Sequence, residues 1–290
     1  MNKRLSIFLL IISACLIAFI ANLNIRFFFK ESEDTQKILW VTDTHFTLRD
    51  RSINHFVELA SSSKYSNVFI TGDIANDGIL GILHLIEKKI SKPIYFVLGN
   101  SDHNYYQEIL NVQKSIKQNF EKSKFLHYLD NKIIFLDEKY ALIGFDGFAN
   151  TWVANEYSQF HKLIESLKVN IEHSIKMDSK KIIILTHVPP FKESCWYRGK
   201  VSSGKQAEQY YCSALGNLLL DLSKKNKQIK FIVFSGHTHH VSAEKFPIGD
   251  KHQNIDVYVG NKFVEGENKF NYYEINNKNF QPNIKHDFSE

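Results

Sequence analysis

The chain has 290 residues, is 43% hydrophobic and carries a formal net charge of +5 at pH 7. The charge is modest and suits an anionic substrate. Because no Lys/Arg block is interleaved with aromatics, the composition gives no specific nucleic-acid signal.

Residues 1–30 stand apart from the rest. Lys3 and Arg4 precede a charge-free run over 5–25, and Arg26 closes it. That length fits a membrane-spanning helix, which needs about 20 apolar residues, and unbroken apolarity without a polar face argues against a core helix. The expectation is an uncleaved N-terminal membrane anchor. Ile12-Ser13-Ala14-Cys15 resembles a lipobox, which offers lipidation at Cys15 as an alternative, although the apolar run continues past that cysteine. Lys3 and Arg4 with the terminal amine, set against Arg26 and Lys30, favour an N-terminus inside the cell, across a bacterial inner membrane. Residues 31–290 then form one domain large enough for a full core. Cys195 and Cys212 are the thiols outside the apolar run, and the sequence is compatible with a disulfide between them or with two unpaired side chains.

Beyond a polar linker over 31–37, strands and helices alternate. Apolar runs predict strands at 37–42, 67–71, 93–98, 132–145 (two strands around Glu138-Lys139), 181–186 and 231–234, with further strands in 254–260 and 270–275. Apolar residues at helical spacing predict helices at about 52–62, 79–90, 104–122, 155–176 and 206–225, and 191–205 reads as a loop. Strands buried on both faces and alternating with helices imply a layered α/β domain.

The chemistry lies at the strand ends. FIVFSGHTHH (231–240) is a buried strand, a Ser-Gly hinge, and then His237 and His239. In an extended chain residues two apart share one side, which aims both imidazoles at one point. Asp43 and His45 repeat this spacing after the first strand, Asp73 ends the second, Asn100 the third and His187 that of 181–186. Singly, Asp73 and Asn100 beside glycines read as turn residues. Seven such groups beyond the carboxyl ends of strands, where α/β sheets gather function, read as a metal site. Carboxylate, amide and imidazole suit first-row divalent ions, and the absence of thiolate argues against a structural zinc cluster. Seven ligands exceed the needs of one ion, so two ions sharing a carboxylate is the economical reading. Two ions about 3.5–4 Å apart can polarise a phosphoryl group and activate water.

Taken together, D-T-H (43–45), G-D (72–73), G-N-x-D (99–102), His187 and G-H-T-H (236–239) resemble the calcineurin-like metallophosphoesterases, over about residues 37–260. The run Thr186-His187-Val188-Pro189-Pro190-Phe191 is also similar to that of a bacterial group within the family. The resemblance implies an α-β-β-α sandwich and a centre of two divalent ions (Mn, Fe or Zn). It assigns Asp43, His45 and His239 to one ion, Asn100, His187 and His237 to the other, and Asp73 as the bridge.

One position departs from the family pattern. Where the family usually carries a histidine that serves the transition state, this chain has Ser101, whose hydroxyl donates a hydrogen bond but is no acid near neutral pH. Asp102 belongs to the same motif. His103 is the candidate to replace the lost acid if the loop turns it inward, and the competing reading is a solvent-facing loop residue. Weakened acid catalysis favours good leaving groups.

Residues 191–205 are expected to cap the site. Lys192, Arg198, Lys200 and Lys205 are placed to meet phosphate, with Trp196 and Tyr197 placed to stack on a base or cover a lipid; a solvated basic loop over two packed aromatics fits as well. The functional expectation is metal-dependent hydrolysis of a phosphodiester or activated phosphoester on a small molecule or lipid. A lipid-linked or nucleotide pyrophosphatase at the membrane surface is the alternative, and a non-catalytic binding module is the reading from another class.

Overall fold

The structure is a computed structural model and describes residues 37–48, 51–103, 109–155, 157–197, 200–261 and 271–283. The apolar run expected to anchor the chain lies outside the described residues, as do Cys15 and Arg198. No described helix is long and apolar enough to cross a membrane.

In chain order the elements are β1 (Lys37–Val41), α1 (Ser52–Ser61), β2 (Tyr65–Thr71), α2 (Ile79–Lys89), β3 (Ile94–Val97), α3 (Ile109–Phe120), β4 (Leu126–Tyr128), β5 (Ile133–Phe135) and β6 (Tyr140–Phe145). They continue with α4 (Tyr157–Lys176), β7 (Lys181–Thr186), β8 (Trp196–Tyr197), β9 (Lys200–Val201), α5 (Ser213–Lys225), β10 (Lys230–Ser235), β11 (Ser242–Phe246), β12 (Ile255–Val259) and β13 (Tyr273–Asn276). The predicted strands and helices are present within a few residues of their expected bounds. β4 and β11 were not anticipated, nor were the paired β8 and β9 within the segment read as a loop, and the predicted 206–225 helix divides into a 3-10 turn (Lys205–Gln209) and α5.

Two sheets carry the fold. The first has the order β13-β1-β2-β3-β4, parallel except at β13, and the second the order β11-β12-β10-β7-β6-β5, parallel except at its two edge strands. Side chains alternate across each strand, so each sheet buries two faces. On the first sheet Leu39, Val41, Val68, Ile70 and Phe96 pack with residues of α1, α2 and α3 in one cluster. On the second, Ile182, Ile184, Phe231 and Val233 pack with residues of α4 and α5. The intervening residues, Trp40 and Phe69 from one sheet and Ile183, Leu185 and Phe234 from the other, meet in the middle. This is the expected α-β-β-α sandwich.

Aromatics hold the sheets together. The Trp40 ring centroid lies 5.0 Å from that of Phe234, and the Trp40 indole N–H donates to Thr71 Oγ1 at 3.0 Å. Truncating a buried aromatic of this kind costs about 3–5 kcal/mol. Because β1, β2 and β3 are parallel, as are β7 and β10, each set opens its carboxyl ends at one edge, and hydrogen bonds between the loops join the two edges into one rim.

Candidate metal centre

The rim is assembled by backbone contacts before any side chain is considered. The Asp43 N–H donates to the Gly72 carbonyl at 3.1 Å and the His45 N–H to the Asp73 carbonyl at 2.9 Å, which locks the loop after β1 to the loop after β2. Across the sandwich the Gly236 N–H donates to the His187 carbonyl at 2.9 Å, and the His237 N–H to the Asp43 carboxylate at 3.1 Å. Two glycines permit this approach. A Cβ on Gly236 would sit 1.9 Å from Thr42 Oγ1, and one on Gly99 would sit 2.2 Å from Asp73 Oδ1. No side chain fits at either place.

The Asp-x-His and His-x-His pairs converge by a route that alternation along an extended strand does not describe. Asp43, His45, Asp73, His237 and His239 all adopt positive φ, between 47° and 68°. Left-handed backbone is uncommon for residues other than glycine and gathers at functional sites. Of the eight such residues among those described, five are candidate ligands. Each turns sharply off its strand end, and that turn aims the side chain inward.

Donor atoms of Asp43, His45, Asp73 and His239 all lie within 4.8 Å of one another. His239 Nε2 is 3.4 Å from Asp43 Oδ1, and His45 Nε2 is 3.7 Å from Asp73 Oδ2. The other oxygen of Asp73, Oδ1, is 3.4 Å from His187 Nε2, which is itself 3.2 Å from Asn100 Oδ1. His237 joins this second group through its ring, whose centroid is 5.1 Å from that of His187. The seven predicted positions are thus neighbours, with four in the tight group and three beside it.

Each of three imidazoles has one nitrogen held from behind. His187 Nδ1 lies 2.9 Å from the Thr71 carbonyl, His237 Nε2 2.8 Å from the Gln209 carbonyl, and His45 Nδ1 2.9 Å from Asn76 Oδ1. A carbonyl only accepts, so the neutral ring donates N–H there and keeps its lone pair on the other nitrogen. This is how metal-ligating histidines are usually oriented. Burial, reinforced by His187, holds His237 down to about 4 and therefore neutral. For His187 burial acts the same way, but the carboxylates of Asp73 and Asp43 outweigh it and raise the ring above its ordinary value. Burial would raise Asp43, yet its hydrogen bond with His239 and the fields of His187 and His239 hold it well below the usual carboxylate range. Two anionic carboxylates, an amide oxygen and correctly presented imidazoles make a donor set that fits first-row divalent ions.

The G-N-S-D-H loop resolves into distinct parts. The Ser101 N–H donates to Asp73 Oδ1 at 2.8 Å and its hydroxyl to Asp73 Oδ2 at 2.9 Å. Asp102 is buried and accepts the backbone N–H groups of Ile74, Ala75 and Gly99 at 2.9–3.1 Å. Burial, then the field of Asp73, pushes its carboxyl up to about 7 against those three donors. Asp102 therefore clamps the Asp73 loop to the Asn100 loop. His103 is only 1% exposed, so it is no solvent-facing residue, and its Nε2 lies 3.5 Å from Asp146 Oδ2. Asp146 accepts the Leu98 N–H at 2.9 Å and the Tyr128 hydroxyl at 2.5 Å, a buried node that ties the end of β6 to those of β3 and β4.

In the expected cap, Lys192, Lys200 and Lys205 point to solvent and Trp196 is half-buried, while the Tyr197 side chain and Arg198 lie outside the described residues. Cys195 and Cys212 are buried and unpaired. The Cys195 thiol donates to the Tyr210 carbonyl at 3.3 Å, and burial pushes Cys212 up. Sequence reasoning missed Asn76, the Gln209 carbonyl and Tyr210. No spacing rule marks a residue that works through another's ring nitrogen or through its own backbone.

The sequence profile of calcineurin-like phosphoesterases matches residues 36–241. The chain belongs to that family. Among curated proteins none matches it. Solved structures are similar to it at low identity. One is described as GAP50, the anchor in the inner membrane complex of Plasmodium, at 16% identity and a TM-score of 0.51, with 87% of each chain covered. Others are TT1561 of Thermus thermophilus, at 16% identity and a TM-score of 0.48 over 87% of this chain and 99% of that one, and the calcineurin-like phosphoesterase YfkN from Bacillus subtilis, at 17% identity and a TM-score of 0.39 over 77% and 80%.

Proposed function

We propose that this phosphoesterase-family chain hydrolyses a phosphodiester or an activated phosphoester at a centre of two divalent ions. Asp43, His45 and His239 would hold one ion, Asn100, His187 and His237 the other, and Asp73 both. The observation that carries this reading is the division of Asp73, whose Oδ2 faces His45 at 3.7 Å and whose Oδ1 faces His187 at 3.4 Å. One carboxylate thus stands between two groups of donors. When bound, such ions supply Lewis acidity at the phosphoryl oxygens and lower the pKa of water.

The chain's own residues do the rest. Asn100 and His187 place an amide and an imidazole on the phosphate side of the rim. Asp102 keeps Asn100 in register with Asp73 by holding both loops. Ser101 spends its N–H and hydroxyl on Asp73, which orients the carboxylate and leaves the leaving group without a proton from this residue. His103 is buried and faces Asp146, with its Nε2 3.5 Å from Asp146 Oδ2. A serine bonded to Asp73 at the position where the family pattern usually carries a histidine supports substrates whose leaving oxygen needs little protonation. The apolar run over 5–25 would hold the domain at a membrane, outside the cytoplasm.

The test is hydrolysis by the full chain with Mn²⁺, comparing bis-p-nitrophenyl phosphate with p-nitrophenyl phosphate, alongside metal content by mass spectrometry. Two ions per chain and a preference for the diester are expected. Asp73→Asn should lower the rate by more than about a hundredfold, since even outer partners of metal ligands are worth 10–100-fold. Retained hydrolysis in that variant, or a chain that binds no transition metal, would overturn the reading.

A further inference from the structure

The edge of the sandwich opposite the rim is a belt of lysines. The parallel strands begin there, and Lys37, Lys64, Lys124, Lys139, Lys180 and Lys230 stand at or just before the starts of β1, β2, β4, β6, β7 and β10. Main-chain bonds run along the belt. The Lys37 N–H donates to the Lys64 carbonyl at 3.0 Å, the Lys180 N–H to that of Lys139 at 2.7 Å, and the Lys230 N–H to that of Lys180 at 3.0 Å. The Lys181 ammonium donates to the Lys278 carbonyl, which carries the belt from one sheet to the other. Glu274, Asp178 and Asp256 pair with Lys37, Lys64, Lys180 and Lys230. Lys88 and Lys89 at the end of α2, Lys122 after α3, and Lys225 and Lys227 at the end of α5 are exposed, and none forms an ion pair among the described residues.

Each group of lysines has a local explanation, in acidic partners for the first and in the helix dipole for the second. Their sum does not. Positive charge is gathered on one edge of a chain whose total is only +5. Large apolar side chains stand out among the lysines. Met177, 56% exposed, lies between Lys176 and Lys180, and Ile248, 59% exposed, between Lys245 and Lys251. Phe135, 42% exposed, pairs with Ala141 near the start of β6. Exposed apolar residues set among lysines are what a lipid interface takes up. The edge is also where the chain arrives. β1 opens on it, and residues 26–36, which join β1 to the apolar run over 5–25, reach at most about 40 Å when fully extended. The rim, with a cavity of about 300 Å³ lined by Trp196, Tyr210, His237 and His239 among others, lies at the other end of the strands. Over the seven residues of β2 that is roughly 20 Å away, at about 3.3 Å per residue.

We infer that the lysine edge docks on an anionic lipid surface beside the anchor and turns the rim away from it; this rests on the reading of 5–25 as a membrane anchor. Such a surface attracts lysines within about a Debye length, about 8 Å at physiological salt. Docked in this way, the centre meets phosphoesters in solution rather than within the bilayer. Hydrogen exchange tests the docking on the full chain in nanodiscs of phosphatidylglycerol or of phosphatidylcholine. Amides over 88–92, 121–125, 177–181 and 225–230 should exchange severalfold more slowly on the anionic lipid, while those over 72–76 and 236–240 should not change. The protection should vanish at about 1 M salt, where the Debye length falls to about 3 Å. Lys88→Glu, Lys89→Glu, Lys225→Glu and Lys227→Glu combined should abolish it, and the four arginine replacements should keep it, which separates charge from local structure. Equal exchange on the two lipids, or the same protection by a single-stranded oligonucleotide over phosphatidylcholine, would overturn the inference. The anchor is read separately, by whether vesicles retain the full chain at high salt. Retention without lipid-dependent protection would sink the docking alone. Lipid-dependent protection of a chain that high salt releases would support the docking and sink the anchor alone.

Discussion

On the rim, side chains are positioned by main chain: Asp102 grips three backbone amides, and Gly236 and Gly99 let ligand loops touch at distances no Cβ would allow. In the cap, the reverse holds. Its secondary structure is two-residue strands and two 3-10 turns (Lys192–Ser194 and Lys205–Gln209), and its order comes in part from side chains such as Cys195 reaching across to carbonyls. The difference separates two tasks. A rim built this way tolerates no change in spacing, as chemistry at fixed distances requires, whereas the cap can be re-cut away from the Gln209 carbonyl, its tie to His237, without disturbing the centre beneath it.

The strongest way to break this comparison is at Gly236. Gly236→Ala places a methyl 2.1 Å from Asp43 Oδ2, and overpacking of that order costs roughly 1–3 kcal/mol. Thermal melting should fall by several degrees, at roughly 2–4 °C per kcal/mol, and metal content should fall with it. An unchanged melt and full metal loading would show that the rim is looser than described.

Asn76→Ala should act next, by removing the acceptor behind His45. Metal affinity is expected to drop 10–100-fold, the usual cost of losing such a partner, while Asn76→Asp, which keeps an acceptor oxygen, should recover most of it. Calorimetric titration with Mn²⁺ reads this directly. If Asn76→Ala binds metal as well as the parent, the His45 ring is held by other means.

Cys195→Ala tests the cap from its own side. Limited proteolysis at 196–210 should quicken several-fold, whereas metal stoichiometry should stay at the parent value. Loss of metal together with the cap would mean that the two regions are not separable.

The smallest effect is expected at the opposite end of β1 from the rim. Burial would raise Glu274, but hydrogen bonds from Lys37, Lys64 and Tyr65 hold it down to about 2, against an ordinary value of 4.5. A depressed carboxyl stabilises the fold above its unfolded pKa, so its contribution is complete above pH about 4.5 and is lost as pH falls from there towards 2. Glu274→Gln should flatten the acid limb of the stability curve in that window without touching metal binding. An unaltered acid limb would remove Glu274 from the account.

Much of the fold was legible because strands such as 181–186 and 231–234 are buried on both faces and read as unbroken apolar runs. β11, Ser-Ala-Glu-Lys-Phe, was not, since an edge strand with one wet face carries polar residues and leaves no such run. β4 is three residues long with a histidine at its centre, too short for any period to show. The ligand positions were legible as types at strand ends, but the left-handed turns that make Asp43 and His45 converge were not, because propensity disfavours them and tertiary contacts impose them. His103 illustrates the remaining gap. Its neighbour Asp146 lies at the end of another strand, so no local pattern announces that the ring will be buried against it.

The 2.8 Å contact between His237 Nε2 and the Gln209 carbonyl makes the divided site one thermodynamic object. A ligand that settles the 205–210 arm also settles the imidazole behind it, and an ion that draws on that imidazole steadies the arm in turn. Linkage is reciprocal. Whatever factor a cavity ligand gained from a loaded centre, the ion would gain from a filled cavity.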